Sequence, residues 1–405
     1  MKVAIVHPSL ALKGGAENVV VWLATGLRSR GHAVTLFTAE FDGRLWPAEH
    51  LRGLDIAVLK TKTRFMNSTL LTFVRLGRML RKALAGFDIV NCHNWPSNLW
   101  VARARRWSRA FPRVVWYCEE PNRKIHWERT NRHLAHYVAH ANDARYNAHL
   151  RHDVERERRT ASRSRSRRRK RARDIRWDVA SAAMMDKVLV NSRFSQESVE
   201  KVYGITPSVC YLGIPLAGKE PVAAKGDYFC VVSPLTRKKN VHNVIEAMNI
   251  LVNQRKLDGV RLKIVGDGPE RAAIEGLAAQ YGLGDRVAFL GFVSDAQVVR
   301  TYQAARLTVY VPIDEPFGLV PLESMACGTP VVASDHGGPL DSVVANETGL
   351  HVNPFDPEAI ADAIQALFCD EARLRAMGAS GARWVRERFT LEGFLDRFEQ
   401  MALRS

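Results

Sequence analysis

The sequence predicts an α/β protein built from two doubly wound domains, each with a parallel sheet. The chain has 405 residues, which is room for two to three domains of about 150 residues each. Its hydrophobic content of 46% can fill sizeable cores. Short apolar runs alternate with segments of helical spacing, the pattern of β-α-β units. This alternation restarts about halfway along the chain, so two such domains are expected.

The first half opens as a strand, a glycine loop and a helix. Val3–Val6 is a short apolar run, and Gly14-Gly15 precedes a segment whose apolar residues between Val19 and Leu27 recur at helical spacing. Gly31 fits the position just past the end of this helix, and the next strand begins near Val34. The opening therefore predicts a β-α-β unit.

Later strands follow the same alternation. In the first half, apolar runs at Ile89-Val90 and Val114–Tyr117 are followed by polar residues, where the carboxyl ends of parallel strands meet. In the second half, helix Val241–Val252 and a helix after Pro269 are predicted between strands. Those strands begin at Tyr228, Leu262, Val287 and Leu307.

The domain boundary is expected in the stretch YLGIPLAGKEPVAAKG, residues 211–226, which is rich in Gly, Pro and Ala. We expect a first domain at 1–210 and a second at 211–385. A helix at 386–405 is expected to pack back on the first domain.

The net charge of +17 is concentrated in one segment, Arg145–Arg176, which has fourteen Arg or Lys against four Asp or Glu. Its low-complexity part ASRSRSRRRKRARD predicts an excursion from the first domain. Three interpretations stay open: contact with an anionic membrane surface, a solvated excursion without function, and nucleic-acid binding. The tract lacks the interleaved aromatic residues of many nucleic-acid sites.

The sequence carries no sign of secretion or of a membrane span. The N-terminal apolar run is broken by His7-Pro8, and no window approaches ~18 uninterrupted apolar residues. The six cysteines are scattered without a C-x-x-C pair, which predicts reduced and mostly buried thiols. We expect a cytoplasmic protein, with any membrane contact peripheral and on the inner face of the cell membrane.

Two glutamates stand in the apolar run IDEPFGLVPLESMACGTPVVAS, residues 313–334. Glu315 is expected in a loop before a helix, where its carboxylate and the free backbone N–H groups of the first turn can bind one polar ligand. Sugar hydroxyls donate hydrogen bonds to such a carboxylate. Glu323 lies about one and a half helical turns further along and can reach another part of the same ligand. Two solvated glutamates at a helix entrance are the alternative.

The run EPFGLVPLESMACGTPVV resembles the signature of retaining glycosyltransferases of family four, which have the two-domain architecture called GT-B. The likeness covers most of the chain, because HPSLALKGGAENVV, NSRFSQESVEKVYG, RKKNVHNVIEAM, VGDGPE and LGFVS match in order and spacing. It implies two Rossmann-like domains facing across a cleft, the first for the acceptor and the second for a nucleoside-diphosphate sugar. The HP-x-L and GGAE opening and the RKKN stretch slightly favour transfer of mannose from GDP-mannose to a lipid-linked or cell-surface glycan precursor.

The resemblance also implies residue roles. Glu315 would hold the donor sugar, Glu323 the ribose, and Lys239 the diphosphate leaving group, a task that suits a compact ammonium charge. Gly266 and Gly268 would meet the base or ribose. The backbone that would hold the sugar together with Glu315 belongs to Phe317, Gly318 and Leu319. The loop of the first domain that would meet the diphosphate contains Gly14 and Gly15, whose alternative, like that of the other glycines, is a plain turn.

Two positions depart from the family pattern. Pro234 stands where the family usually has an arginine, so Arg237 and Lys238 are the candidates to supply that charge. Glu119, in WYCEEPNRK, stands where relatives often have a histidine near the acceptor, and it is a candidate to orient the acceptor or stabilise charge on the sugar. His93 is the second acceptor-side candidate, although a lone histidine is more often structural.

No D-x-D motif follows a predicted strand, which argues against a metal-chelating transferase. Lys239 and helix dipoles would do the work of a cation, so neither a metal nor a cofactor is expected beside the nucleotide-sugar substrate. The competing function is a polyanion-binding protein, for nucleic acid or anionic membrane, on a catalytically retired GT-B scaffold. The departures at Pro234 and Glu119 would support it, and the retention of Glu315, Glu323 and Lys239 argues against it.

Overall fold

The structure, a computed structural model, describes residues 1–46, 48–59, 70–123, 125–126, 130, 165–222 and 224–404. The chain divides into two compact units, Met1–Leu212 joined by Glu392–Ser405, and Gly213–Leu391. Each unit contains one parallel sheet whose strands alternate with helices. The predicted fold class of two doubly wound α/β domains is confirmed.

The first unit holds a seven-stranded sheet. Its strands are β1 (Lys2–His7), β2 (Ala33–Thr38), β3 (Asp55–Val58), β4 (Ile89–His93), β5 (Arg113–Tyr117), β6 (Lys187–Val190) and β7 (Ser208–Val209). Its described helices before the second unit are α1 (Gly15–Ser29), α2 (Ala48–Leu51), α3 (Leu70–Ala83), α4 (Ser97–Arg106), α5 (Arg165–Ala182) and α6 (Arg193–Tyr203). The strand order is β3-β2-β1-β4-β5-β6-β7, so it reverses between β1 and β4. Sheets of this kind bind ligands at the carboxyl ends of the strands beside the reversal.

The central strands of this sheet are apolar along most of their length. All five residues of β4 are buried, and in β1 only Lys2 is exposed. Such continuous burial is typical of parallel strands with helices on both faces. Helix α1 begins after Gly14 and ends before Gly31, whose φ of 88° suits glycine. The predicted strand, glycine loop and helix are confirmed at these bounds.

The second unit holds a six-stranded sheet. Its strands are β8 (Tyr228–Val232), β9 (Arg261–Val265), β10 (Val287–Gly291), β11 (Thr308–Tyr310), β12 (Val331–Ser334) and β13 (Gly349–Val352). Its helices are α7 (Val241–Asn249), α8 (Arg271–Gln280), α9 (Asp295–Ala304), α10 (Leu319–Ala326), α11 (Pro339–Ser342), α12 (Pro357–Phe368) and α13 (Glu371–Arg388). The order β10-β9-β8-β11-β12-β13 reverses between β8 and β11. The helix predicted at Val241–Val252 is α-helical to Asn249 and continues as a π-helix at Ile250–Gln254.

The chain returns to the first unit within a last α-helix, α14 (Leu391–Phe398). Leu395 packs on α1 so closely that a Cβ on Gly26 would lie 2.4 Å from its Cδ1. The ring of Phe394 meets that of Tyr117 edge-on, with centroids 6.1 Å apart. The residues after Leu391 therefore form part of the core of the first unit.

The Arg-rich segment 145–176 lies only in part within the described residues, because 131–164 fall outside them. From Arg165 the chain forms α5, which is anchored by the buried carboxylate of Asp178. This carboxylate accepts a hydrogen bond from the Tyr203 hydroxyl at 2.7 Å, and its Oδ2 lies 2.8 Å from His126 Nε2. The described end of the segment is thus a helix fixed to the first unit.

The state of the cysteines and the apolar length of the helices can be compared with the sequence predictions. Five of the six cysteines are buried, Cys369 is exposed, and all six are free thiols. Within the ranges that the structure describes, no helix is both long and apolar enough to cross a bilayer.

Candidate functional site

The carboxyl ends of β8 and β11 bring Lys239 and Glu315 together. Lys239 ends a 3-10 turn after β8, and Glu315 lies in the loop between β11 and α10. The Lys239 Nζ donates a hydrogen bond to Glu315 Oε2 at 2.8 Å, with side-chain exposures of 22% and 19%. Two residues that the sequence placed in one site are therefore in contact, at the strand-order reversal of the second sheet.

Backbone and amide hydrogen bonds fix these two loops to each other. The Ile313 N–H donates to the Lys238 carbonyl at 2.8 Å. The buried amide of Asn240 donates to the carbonyls of Val311 at 3.1 Å and Pro354 at 2.6 Å. Because a buried amide with both carbonyl partners is costly to displace, the Lys239 turn has a defined place beside the Glu315 loop.

Gly337 and Gly338, which sequence reasoning missed, support the Glu315 loop from the end of β12. The Gly338 N–H donates to the Glu315 carbonyl at 2.8 Å. A Cβ on Gly338 would lie 2.2 Å from the Cα of Phe317, and Gly337 has a φ of 81°. Only glycine allows this approach. The signal that could have found them is a Gly-Gly pair two residues after a buried strand at the same sheet edge.

Tyr310, the last residue of β11, lies beneath the ion pair and was also missed. It is 5% exposed, and it lies close to the Glu315 carboxylate. Its ring centroid lies 5.8 Å from Lys239 Nζ. Burial and the adjacent Glu315 charge raise the pKa of Tyr310 well above 10. From the sequence alone, a tyrosine at the end of an apolar strand cannot be told from a core aromatic.

Gly318 closes this side of the site as the N-cap of α10. Its φ is 88°, and a Cβ there would lie 2.7 Å from Tyr310 Cε1. The first turn of α10 continues with Leu319 and follows Phe317, which is buried. The backbone of Phe317, Gly318 and Leu319, which is predicted to hold the sugar, therefore lies close to Glu315 in the sequence. Its contact with a sugar stays a prediction.

Glu323 lies in α10 with its own partner. Its Oε2 accepts a hydrogen bond from the Tyr302 hydroxyl of α9 at 3.3 Å. Burial raises the pKa of Glu323, so its proton is retained to a higher pH than that of a solvated glutamate. Glu323 is half-buried, and its predicted contact with ribose remains a prediction.

Arg237, a candidate for the missing charge at Pro234, is engaged with the VGDGPE motif. Its Nε lies 3.3 Å from both carboxylate oxygens of Glu270, and His242 Nε2 lies 3.5 Å from one of them. Arg237 is thus two residues from Lys239 in the sequence, but its guanidinium is paired with Glu270 in the loop after β9.

Gly266 and Gly268 let the loops after β8 and β9 pack together. Gly266 has a φ of 123°, and a Cβ there would lie 2.0 Å from the Ser233 carbonyl oxygen. A Cβ on Gly268 would lie 2.4 Å from the Leu235 carbonyl oxygen. These contacts favour the interpretation of a strand-to-helix turn for both glycines, and their contact with a nucleotide stays a prediction.

In the first unit, the structure brings together His93 and Glu119, at the ends of β4 and β5. His93 Nε2 lies 3.6 Å from Glu119 Oε1. The other carboxylate oxygen accepts a hydrogen bond from the Asn94 amide at 3.1 Å. His93 is fully buried, and burial together with the neighbouring His7 lowers its pKa well below 6.5. A neutral imidazole therefore stands behind the Glu119 carboxylate.

Gly14 and Gly15 form the start of α1, where Glu17 also lies. A Cβ on Gly14 would be 2.7 Å from Glu17 Oε2, and Glu17 Oε1 lies 3.7 Å from His7 Nε2. The Glu17 carboxylate thus folds over the helix start, where amides and the helix dipole favour negative charge. Sequence reasoning missed His7 and Glu17, and a diphosphate contact of this loop remains predicted. Over the described residues, no three His, Cys, Asp or Glu side chains are grouped so that they could hold a metal ion.

Two family profiles match nearly the whole chain. The profile of Glycosyltransferase Family 4 matches residues 13–217, and that of Glycosyl transferases group 1 matches residues 216–384. The two matches meet close to the boundary between the two units at Leu212 and Gly213.

Individual proteins are similar over different lengths. Human alpha-1,3/1,6-mannosyltransferase ALG2 is 26% identical over 430 residues, which cover 97% of this chain and 94% of that protein. A GDP-mannose-dependent alpha-(1-6)-phosphatidylinositol monomannoside mannosyltransferase of Mycobacterium tuberculosis is 34% identical over 161 residues, covering 38% and 41%. Sucrose-phosphate synthase from Thermosynechococcus elongatus has a TM-score of 0.76 at 24% identity, covering 100% of this chain and 99% of its own. This structural likeness shows the fold alone.

Proposed function

Because the chain belongs to glycosyltransferase family 4, we propose that it is a retaining, metal-independent mannosyltransferase that uses GDP-mannose and a lipid-linked glycan acceptor. The observation that carries the proposal is the contact of Lys239 with Glu315 at the strand-order reversal of the second sheet. Nucleotides bind at such reversals in open α/β sheets. Mannose is supported by both mannosyltransferases that the chain resembles, and GDP-mannose and a lipid acceptor by the phosphatidylinositol monomannoside mannosyltransferase of Mycobacterium tuberculosis.

The ion pair has the chemistry that a nucleotide sugar needs. The diphosphate of the donor offers Lys239 an anionic partner, and the sugar hydroxyls offer Glu315 hydrogen-bond donors. As the bond between the sugar carbon C1 and the diphosphate oxygen breaks, negative charge grows on the diphosphate and the Lys239 ammonium stabilises it. The acceptor oxygen bonds to C1 on the same face, and its proton moves to the departing diphosphate oxygen.

The acceptor-side role falls to Glu119, with His93 behind it. The buried His93 ring lies 3.6 Å from one carboxylate oxygen of Glu119, and the Asn94 amide donates a hydrogen bond to the other. In this proposal Glu119 orients the acceptor hydroxyl or stabilises positive charge on the sugar. The amides after Gly14 would meet the diphosphate once Glu17 turns away from the helix start.

The competing function, a polyanion-binding protein on a retired scaffold, has no support in the described residues, where Lys239 and Glu315 remain in contact. We propose instead that the Arg-rich segment 145–176 brings the enzyme to an anionic membrane surface, where a lipid-linked acceptor lies. Its support is the excess of positive charge in the segment.

The test of the proposed function is Glu315→Gln. The amide lacks the second acceptor oxygen, so kcat/KM for release of GDP from GDP-mannose should fall at least ~10²-fold, or about 2.7 kcal/mol, while the fold is kept. Glu347→Gln, an exposed glutamate elsewhere in the second unit, is the matched control and should keep full activity. Turnover by Glu315→Gln within a few-fold of wild type would show that Glu315 is not a sugar ligand.

The same assay separates the finer parts of the proposal. If the wild-type enzyme turns over a uridine-diphosphate sugar but not GDP-mannose, the assignment of GDP-mannose as the donor is wrong. The assignment as a glycosyltransferase is then unaffected. Addition of EDTA should leave the rate unchanged, because Lys239 supplies the positive charge. A rate that EDTA abolishes and magnesium or manganese restores would contradict metal independence.

A further inference from the structure

We propose that Asn94 and Ser195 are positioning residues for transfer, which hold Glu119 by its side chain and by its backbone. The inference rests on the proposed function, in which Glu119 acts on the acceptor hydroxyl or the sugar. It gives a task to Ser195, whose motif NSRFSQES the proposed function leaves unused, and to the turn after β4 that carries Asn94.

Asn94 is joined to the end of β5 by three hydrogen bonds. Its backbone N–H donates to the Tyr117 carbonyl at 3.0 Å. Its side-chain oxygen accepts a hydrogen bond from the Glu119 N–H at 3.2 Å, and its side-chain nitrogen donates to Glu119 Oε2 at 3.1 Å. This amide orientation follows from the chemistry, since the backbone N–H only donates and an ionised carboxylate only accepts. One amide therefore holds both the backbone and the carboxylate of Glu119.

The backbone of Asn94 is in the left-handed region. Its φ is 61°, which few residues adopt and for which asparagine is enriched. Such backbone persists where the surrounding contacts determine it. The Ser97 Oγ, at the start of α4, lies 2.6 Å from the Asn94 carbonyl oxygen. The turn that presents the Asn94 amide to Glu119 is thus fixed at both ends.

Ser195 holds Glu119 from the end of the neighbouring strand, β6. It lies in the first turn of α6 and is 1% exposed. Its Oγ lies 2.5 Å from the Glu119 carbonyl oxygen and 2.7 Å from Asn191 Oδ1. Two oxygens 2.5 Å apart repel unless a proton lies between them, so the hydroxyl donates to Glu119. Ser192, the N-cap of α6, accepts the Ser195 N–H and fixes its place.

These contacts leave Glu119 able to bind substrate. An ionised carboxylate has about four lone-pair sites, and the Asn94 amide takes one of them. The side chain is 16% exposed, so acceptor capacity remains for a hydroxyl. A glutamate side chain is long and flexible, and a group that acts at a reacting centre must lie within about 0.5 Å of its productive place. Contacts with both the carboxylate and the backbone supply that precision.

Asn94→Gly and Asn94→Asp test the contact with the carboxylate. Glycine keeps the left-handed backbone and removes both side-chain hydrogen bonds, so kcat for GDP release from GDP-mannose, with water as the acceptor, should fall about tenfold. Aspartate keeps the side-chain size but turns a charged oxygen toward Glu119 Oε2, so kcat should fall at least as far. KM for GDP-mannose should stay unchanged in both variants, because the lost contacts act on turnover.

Ser195→Ala tests the contact with the backbone. It removes the hydroxyl that donates to the Glu119 carbonyl, so kcat should fall several-fold at an unchanged KM. Ser198→Ala is the matched control. It removes another buried hydroxyl of α6, which donates to the Phe194 carbonyl at 2.9 Å, and should change neither quantity.

A second background shows whether both residues act through the Glu119 carboxylate. In Glu119→Ala, single-turnover rates should change less than twofold when Asn94→Gly or Ser195→Ala is added, because residues that act through each other are not additive. A merely structural loss would persist there, since the N–H and carbonyl at position 119 remain.

Several results would overturn the positioning role and leave the assignment as a transferase standing. They are a loss of full size in the Glu119→Ala background, a kcat of Asn94→Gly and Ser195→Ala within twofold of wild type, a loss confined to KM, or a Glu119→Ala enzyme as active as wild type. A wild-type enzyme that cleaves no nucleotide sugar would overturn both the positioning role and the proposed function.

Discussion

At the scale of single residues, glycines decide how closely the loops of the candidate site approach one another. Gly266, Gly268 and Gly338 each lie so near a neighbouring backbone that a Cβ would come within 2.4 Å of it. The loops after β8 and β9, and those after β11 and β12, are thereby packed together in pairs at one sheet edge. The close packing of these loops therefore depends on the absence of a Cβ atom at the three glycines.

Gly266→Ala should therefore destabilise the second unit. The substitution combines a φ of 123° with a Cβ placed 2.0 Å from the Ser233 oxygen, and backbone strain of this kind alone costs about 1–3 kcal/mol. Gly276→Ala is the control: this glycine lies inside α8, and a Cβ there would meet no described atom within 4 Å. It should stabilise by up to about 1 kcal/mol.

Urea denaturation of both variants measures the difference. A Gly266→Ala protein as stable as wild type would show that the loops after β8 and β9 can separate without loss, which would contradict the packing described here.

The residue scale also shows where prediction from sequence succeeds. Lys239 and Glu315 could be predicted together because each belongs to a motif with a recognisable spacing. His93 and Glu119 could be predicted separately, but their 3.6 Å contact depends on the neighbouring registers of β4 and β5. Tyr310 could not be found, because its contacts come from a fold that a single apolar strand does not specify.

At the scale of elements, two strands at the edges of the first sheet were not predicted from the sequence. β3 is at the edge of the first sheet, pairs only with β2, and has no fully buried residue. β7, at the other edge, has only two residues. β3 does contain a short apolar run, Ile56-Ala57-Val58, but part of its surface faces solvent, and β7 is too short to show a pattern.

Helix α14 makes a testable contribution to the first unit. Phe398 is fully buried there, so Phe398→Ala should lower the free energy of unfolding by about 3–5 kcal/mol. Asp396→Asn changes a residue of the same helix whose side chain is 71% exposed and paired with Arg30, and it should cost less than about 1 kcal/mol.

Differential scanning calorimetry with and without GDP can locate the effect of α14. The transition that GDP raises reports the donor-binding unit. We expect Phe398→Ala to lower the other transition. Loss of stability in the GDP-sensitive transition instead would place α14 with the second unit.

At the scale of the whole molecule, charge sets the interactions with surfaces. The protein carries +17, and the exposed Arg169 and Lys170 of α5 belong to its most basic segment. Arg169→Gln with Lys170→Gln should weaken binding to anionic vesicles by up to about 2 kcal/mol at low salt, since each cation near the surface is worth about 1 kcal/mol. The effect should shrink at moderate salt because of screening.

Co-sedimentation with neutral and anionic vesicles gives the comparison. Lys256→Gln with Arg300→Gln removes the same charge from exposed residues of the second unit and should bind like wild type. Equal losses in both double variants would mean that net charge alone matters. Tighter binding to RNA than to anionic vesicles at matched salt would favour the nucleic-acid interpretation.

The return of the chain to its first unit has a consequence for biosynthesis. Residues 213–391 are contiguous, so the whole second unit is synthesised before α14 is completed. The first unit begins earlier but lacks Phe394, Leu395 and Phe398 until the last part of the chain emerges. During translation the face of α1 that packs on α14 is therefore uncovered until α14 is available, and the first unit cannot complete its packing before the second unit has been synthesised.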